Sequence, residues 1–259
     1  MTTTEATDVV LHERRGRVLI LTLSRPAQKN AVNLEMANQL TAALELLDAD
    51  AELSVGVLTG AGDVFSAGMD LKAFAQGQLP ILPGRGFGGL TRAAVRKPLI
   101  AAVEGWALGG GFEMVLACDL IVAAENARFG CPEVARGIVP AEGGLVRLPH
   151  RIPYHVAAEL LLTGDVLSAS DAARYGLVNR TTAPGAALDG ALELAGRVAT
   201  NAPLALAAAK EVMRVAQGLS DADAFTRQDE LTAGLATSED AHEGAVAWAE
   251  KRPPVWHGR

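Results

Sequence analysis

The stretch from Ile100 to Glu133, IAAVEGWALGGGFEMVLACDLIVAAENARFGCPE, constrains the fold more than any other part of the chain. An apolar run, Ile100–Val103, meets Gly105 and then three consecutive glycines, Gly109, Gly110 and Gly111. Glu113 follows at once. A helical apolar segment, Met114–Cys118, leads to a second apolar run, Leu120–Ala124, and Glu133 closes the stretch. Consecutive glycines leave backbone N–H groups unshielded by side chains. At the start of a helix such N–H groups favour negative charge. Two glutamates beside them can move protons. The same residues also describe a plain strand-to-helix turn with two surface carboxylates, and the rest of the chain has to decide.

Around this stretch the chain alternates strands and helices. Val18–Ser24, VLILTLS, is a strand, ended by Arg25-Pro26. Lys29, Asn30 and Ala31 lie in the following loop. Leu34, Ala37, Leu40, Leu44 and Leu47 recur at helical spacing, with Asn33 placed as N-cap. Val55–Thr59 is a second strand, so a parallel pair with a crossover helix is expected. In Phe65-Ser-Ala-Gly-Met-Asp-Leu71, Asp70 stands where a helix from Leu71 wants a capping acid. Ser66 reads as structural, because no G-x-S-x-G elbow surrounds it. Gln76–Leu90, rich in Gly and Pro, reads as a mobile loop or lid. The segment after Glu133 reads as turns and carries a third acid, Glu142. Helices are expected over Tyr154–Thr163, Ser170–Tyr175, Ala191–Ala199, Pro203–Gln217 and about Ser238–Lys251. The expectation is an α/β protein with residues 1–195 as core and residues 196–259 as an appended helical region.

Composition excludes some classes. A net charge of −7 opposes nucleic acid as the main partner. No apolar stretch reaches the roughly 18 residues of a membrane span, and the N-terminus MTTTEATDVV shows no leader pattern, so no membrane partner and a cytoplasmic location are expected. Cys118 and Cys131 lie in apolar surroundings and read as reduced core residues. With five scattered histidines they show no metal-ligand spacing, and no metal is expected.

Five stretches, in this order and spacing, resemble the enoyl-CoA hydratase/isomerase (crotonase) superfamily over nearly the whole chain. They are Ser24-Arg-Pro-Ala-Gln-Lys-Asn-Ala31, Phe65-Ser-Ala-Gly-Met-Asp-Leu71, Gly105-Trp-Ala-Leu-Gly-Gly-Gly-Phe-Glu113, Phe129-Gly-Cys-Pro-Glu133 and Leu162-Thr-Gly164 with Gly176-Leu-Val178. The resemblance implies a crotonase-like ββα spiral core with a C-terminal helical trimerisation region, assembled as a homotrimer or hexamer. It implies that Met69 and Gly110 donate the two N–H groups of an oxyanion hole for a thioester enolate. Glu113 and Glu133 fall on both acid positions of the family's hydratases, which points to syn addition of water to a 2-enoyl-CoA. CoA would lie along Lys29, Ala31, Ala67, Gly68, Asp70, Leu71 and Gly109, with Lys251 of the same or a neighbouring subunit. It enters as part of the substrate, and no separate cofactor is implied. Glu142 replaces a small residue common in hydratases. It is either a solvent-facing acid or a third pocket charge that raises the pKa of Glu133 or binds a polar or cationic acyl group, with Arg136 near enough to offset it. Phe87, Trp248 and Trp256 are candidates for an acyl or adenine pocket, with core or interface packing as the plainer role for the tryptophans.

Three other readings stay open at this point. An isomerase, or another enolate-forming enzyme of carnitinyl-CoA dehydratase type, would use the same hole and weight the two acids differently. A dinucleotide-binding oxidoreductase would use the glycines, although Gly105-x-x-x-Gly109-Gly110-Gly111 is not G-x-G-x-x-G. A non-catalytic binder on the same fold, for RNA for example, would leave the two acids without a task.

Overall fold

The structure is a computed structural model that describes residues 8–259; residues 1–7, including most of the N-terminal stretch inspected for a leader, lie outside the described residues. The chain opens with β1 (Val10–Arg15) and β2 (Val18–Leu23), an antiparallel pair joined through Gly16. β1 is exposed beyond Val10 and carries His12, Glu13, Arg14 and Arg15, charges that suit a sheet edge. After α1 (Leu34–Ala49), the chain returns as β3 (Val55–Gly60), parallel to β2 with Val18 opposite Val55. The expected crossover pair is therefore present, and the Asn33 side chain caps α1 by accepting from the Met36 N–H at 3.0 Å.

Next come α2 (Leu71–Ala75), β4 (Ile81–Leu82), β5 (Gly86–Phe87), β6 (Leu99–Val103), β7 (Trp106–Leu108), α3 (Gly110–Ala117), β8 (Leu120–Ala124) and β9 (Arg128–Gly130). They are followed by α4 (Gly144–Arg151), α5 (Tyr154–Thr163), β10 (Val166–Ser168), α6 (Ala169–Arg174) and β11 (Arg180–Thr182). The main sheet runs β1-β2-β3-β6-β8-β11 and is parallel from β2 onward. A smaller sheet, β10-β9-β7, stands beside it. Side chains alternate between the faces of the main sheet. Leu58, Leu99, Ala101 and Val103 point into the large core with α1 and α3. Val55, Val57, Ile100, Ala102 and Val122 point the other way, onto Ala191 and Ala195 of α7 (Ala187–Ala199). Burial on both faces is why these strands read as unbroken apolar runs. The boundary expected at residue 195 falls inside α7, which packs on the sheet.

Several segments differ from the sequence reading, the short or polar strands β1, β7, β9, β10 and β11 among them. Gln76–Leu90 is not a plain loop: β4 and β5 pair within it, and Phe87 and Leu90 are buried. The glycines that hid this hairpin are the ones that turn it. The segment after Glu133 holds α4, disguised by Gly143-Gly144 and by Pro149 inside the helix. Beyond α8 (Pro203–Val215), α9 (Asp221–Thr232) was hidden by its polarity. Neither α8 nor α9 buries a residue within the single chain, and α10 (Glu239–Glu250) exposes Trp248 at 84%.

Candidate active site

The site forms where four loops meet above α3. The first holds Asn30, fully buried, whose amide donates to Ala61 O and Val64 O and whose Oδ1 accepts from the Arg25 N–H. This fixes the loop against the one carrying Met69. Val32 and Met69 form a parallel bridge: Val32 N–H donates to Gly68 O and Asp70 N–H to Val32 O. The Met69 N–H therefore points away from Val32. Ser66 is structural, as its sequence context suggests: its Oγ donates to Asn30 O and accepts from the Gly68 N–H. Asp70 is not turned to the cleft. It caps α2 and pairs with Arg25 at 2.9 Å. Burial works to raise its pKa, but the Ala73 N–H, Arg25 and the Lys72 N–H together hold it below the ordinary value.

The glycine turn is packed from three sides. A Cβ on Gly109 would stand 2.8 Å from Glu133 Oε1. One on Gly110 would stand 2.4 Å from the Phe87 ring, and one on Gly111 would meet the Ser66 backbone at 2.7 Å. Gly110 opens α3, so its N–H lies among the first of the helix, which have no acceptor four residues back. Gly68, at φ +88°, brings the other loop close, with its notional Cβ 3.3 Å from Gly110 N. Met69 and Gly110 both line one cleft, and Gly110 stands at the positive end of α3.

That cleft is a cavity of about 100 Å³ lined by Ala67, Met69, Leu71, Leu108, Gly109, Gly110, Pro132, Glu133, Arg136 and Ile138. It brings together Ala67, Met69, Leu71, Gly109, Gly110, Glu133 and Arg136, all singled out from the sequence, and does not include Glu113. Lys29 is exposed at φ 52°, its carbonyl accepting from the Ala67 N–H, and Ala31 is half-buried beside it. Lys251 caps the C-terminus of α10 and does not line the cavity. Trp248 is exposed, and the Trp256 indole N–H donates to Thr200 O. Phe87 packs on Gly110. A larger cavity of about 350 Å³, lined by Arg147, Arg151 and Lys210 among others, contains neither glutamate nor the glycine turn.

Glu113 and Glu133 differ in how they are held. Glu113 is 3% exposed, and its Oε1 accepts from the Glu142 and Gly144 N–H groups at 2.7 and 2.9 Å. Burial pushes its pKa up to about 7 against those two hydrogen bonds, and the charges of Glu133 and Glu142 push the same way. Glu133 is half-buried on a 3-10 turn over Pro132–Arg136. Its pKa is raised, mainly by burial, with its own N–H and Arg136 opposing. Its Oε2 is buried without a hydrogen-bond partner among the described residues. Cys131 lies beneath both acids; burial, then Glu133 and Glu113, hold its thiol well above the ordinary range. Both cysteines are free and buried. Among the described residues no group of acids, histidines and cysteines is placed to hold a metal, and no helix is long and apolar enough to cross a membrane.

The Glu142 carboxylate is neither in solvent nor free in the cavity. It is 7% exposed and paired with Arg92 at 2.7 Å. Its charge acts on Glu113 rather than on Glu133, contrary to the sequence expectation. Arg136 does oppose the charge of Glu133.

Glu113 leaves a stability signature. Its folded pKa, about 7, lies above its ordinary value of 4.5, so the folded state holds the proton more tightly. The proton costs nothing below 4.5; stability falls as pH rises toward 7, and the full penalty persists above. At about 1.4 kcal/mol per unit, the penalty is on the order of 3 kcal/mol. Glu113→Gln is expected to melt above the wild type at about pH 8 and level with it near pH 4. A Tm difference independent of pH would show that Glu113 is not held protonated by the fold.

A cleft with two acids beside a glycine-opened helix start defines an enzyme site suited to acid–base chemistry at a polarised carbonyl. The family model described as enoyl-CoA hydratase/isomerase matches residues 13–259. A carnitinyl-CoA dehydratase from Escherichia coli is 44% identical over 255 residues, 95% of this chain and 97% of that protein. Among solved structures, an enoyl-CoA hydratase from Mycobacterium marinum superposes with a TM-score of 0.95 at 54% identity, over 97% of this chain and 99% of that one. A carnitinyl-CoA hydratase from Mycobacterium avium gives 0.78 at 44%, over 98% and 100%. The chain belongs to the enoyl-CoA hydratase/isomerase family. It has the crotonase fold and is a hydratase-like lyase.

Proposed function

We propose that the chain hydrates 2-enoyl-CoA thioesters, reversibly and with syn geometry. The observation that carries this reading is the placement of two acids by the glycine turn: Glu113, buried on α3, and Glu133, half-buried and lining the cleft with Met69 and Gly110. In this reading the Met69 and Gly110 N–H groups hold the thioester oxygen. The ionised Glu113 takes a proton from water, and the hydroxide oxygen bonds to the β-carbon. The electron pair moves through the enone onto the thioester oxygen, where the two donors stabilise the enolate. Collapse of the enolate takes a proton from Glu133 at the α-carbon. Glu133 has this task because it touches Gly109, next to the oxyanion donors, and the α-carbon adjoins the thioester carbonyl. A proton passing from Glu113 to Glu133 restores the starting state. Such division of labour requires the two acids to be differently protonated; burial raises both, and with its pKa at about 7 Glu113 is ionised in a large share of molecules at neutral pH.

CoA enters with the substrate, along Lys29, Ala31, Ala67, Gly68 and Leu71, and no other cofactor is needed. The bare faces of α8 and α9, with Met213 and Phe225 exposed, support a homotrimer or hexamer in which Lys251 reaches a neighbour's CoA. A cytoplasmic location accords with the two free cysteines.

The carnitinyl-CoA relatives favour a second reading, with a quaternary-ammonium acyl group. Against it, Arg136 lines the cavity and Arg92 engages Glu142, so among the described residues Glu133 is the one carboxylate lining the cavity. An uncharged acyl chain fits better. Loss of the conjugated thioester absorbance with crotonyl-CoA, run beside crotonobetainyl-CoA, tests both. Faster turnover of the charged substrate would reverse the preference, and turnover of neither would remove the hydration reading.

A further inference from the structure

We propose that Glu142 is a positioning residue for this reaction: its carboxylate locks the β4–β5 hairpin over the glycine turn while its own N–H holds Glu113. The proposal rests on the hydration reading for its kinetic part only. Four donors converge on the Glu142 carboxylate. Oε2 accepts from the Phe87 N–H at 3.0 Å, the Thr91 hydroxyl at 2.9 Å and Arg92 Nε at 3.1 Å; Oε1 accepts from Arg92 Nη2 at 2.7 Å. The Phe87 N–H is shared with Thr91 Oγ1 at 2.8 Å. A carboxylate met on both oxygens by a guanidinium, and also by a backbone N–H, is a strong, directional anchor. Gly86 makes room for it, since a Cβ there would stand 2.6 Å from Glu142 Oε2.

What the anchor fixes is the Phe87 ring, whose atoms lie where a Gly110 Cβ would be. The ring therefore forms a wall against the backbone of one oxyanion donor. From the same residue, the Glu142 N–H at 2.7 Å and the nearby Gly144 N–H set the rotamer of Glu113. A single residue thus couples the hairpin, the glycine turn and one acid. Fixed partners of this kind keep reacting groups within the fraction of an ångström that catalysis needs, and a misplacement of about 1 Å can cost about 100-fold.

The test compares wild type, Glu142→Gln, Arg92→Met and the double variant. Glu142→Gln keeps the backbone N–H and the size of the side chain, but turns amide hydrogens toward Arg92 or Phe87. Its kcat for crotonyl-CoA is expected to fall about 10-fold or more, with KM within about 3-fold. Arg92→Met alone is expected to be milder, and the double variant less impaired than the product of the two.

The pH profile separates positioning from general damage. The charged and titratable groups facing Glu113 are Glu133, Glu142, Arg147 and Cys131, with Arg92 behind Glu142. Removing the Glu142 charge moves the acid limb of kcat to lower pH. Removing Arg92 leaves that charge unbalanced and moves the limb higher. Opposite shifts support the proposal. Unchanged kcat, or losses that follow Tm with the limb unmoved in both variants, would overturn it. If the wild type hydrates no enoyl-CoA, the hydration reading fails and the lock is judged by hydrogen exchange. Faster exchange of the Phe87 amide in Glu142→Gln, with α1 unaffected, supports the lock, and unchanged exchange refutes it.

Discussion

Glu133→Gln is expected to hydrate crotonyl-CoA with kcat lowered by about 10²- to 10⁴-fold, the range that general acid–base groups contribute. Glu113→Gln should fall comparably. The amide keeps the volume of Glu133 and its contact with Gly109, so thioester binding should survive. What is lost is the proton. In the wild type Glu133 is held toward its protonated form by burial, with its own N–H and Arg136 opposing, and Oε2 has no competing partner among the described residues. An amide in the same place cannot release a proton to the α-carbon. Binding of a saturated thioester, measured beside turnover, separates this from a misfolded site. An isomerase reading predicts another pattern: severe loss at Glu133 and a mild effect at Glu113. Normal hydration in either variant would remove the two-acid mechanism.

Gly110→Ala should be nearly as damaging by a different route. The alanine methyl would stand 2.4–2.8 Å from three atoms of the Phe87 ring. Either the ring or the turn has to move. If the turn moves, its N–H leaves the thioester oxygen, and loss of one such donor costs about 10²- to 10³-fold in kcat. The effect should fall on kcat more than on KM, because the oxyanion bond strengthens as charge develops. Pairing the change with Phe87→Leu supplies the control. Part of the activity should return if the clash is the cause. If Gly110→Ala alone keeps full kcat, it is the Phe87 ring that gives way and the turn holds its place.

Much of this was legible in the sequence, and for definable reasons. Strands β2, β3 and β6 are buried on both faces, so their apolar runs stand out. Asn33 and Asp70 announce helix starts because capping chemistry is local. The glycine turn with Glu113 and Glu133 was visible as a pattern because the residue types are rare in that order. What escaped depends on distant partners or on misleading punctuation. β1 is polar and edge-bound, and α9 has no buried face to write a period. Glycines and Pro149 signalled loops at the β4–β5 hairpin and at α4, where burial of Phe87 and Leu148 overrode them. The fate of Glu142 was unreadable because Arg92 and Thr91 lie some fifty residues away in the chain. Asn30 reads from sequence only as a loop residue, since its acceptors, Ala61 O and Val64 O, belong to another segment.

The packing of the glycine turn has a consequence for divergence. Gly109 abuts an acid, Gly110 an aromatic ring from the hairpin, and Gly111 the backbone around Ser66. Three separate parts of the chain each veto a side chain at one position, so no single compensating substitution frees any two of them. Mutational drift is shut out of the turn and channelled into its surroundings. New acyl preferences in chains descended from this one should therefore appear first at the other residues lining the cleft, Leu71, Leu108, Arg136 and Ile138, with the turn carried through unchanged.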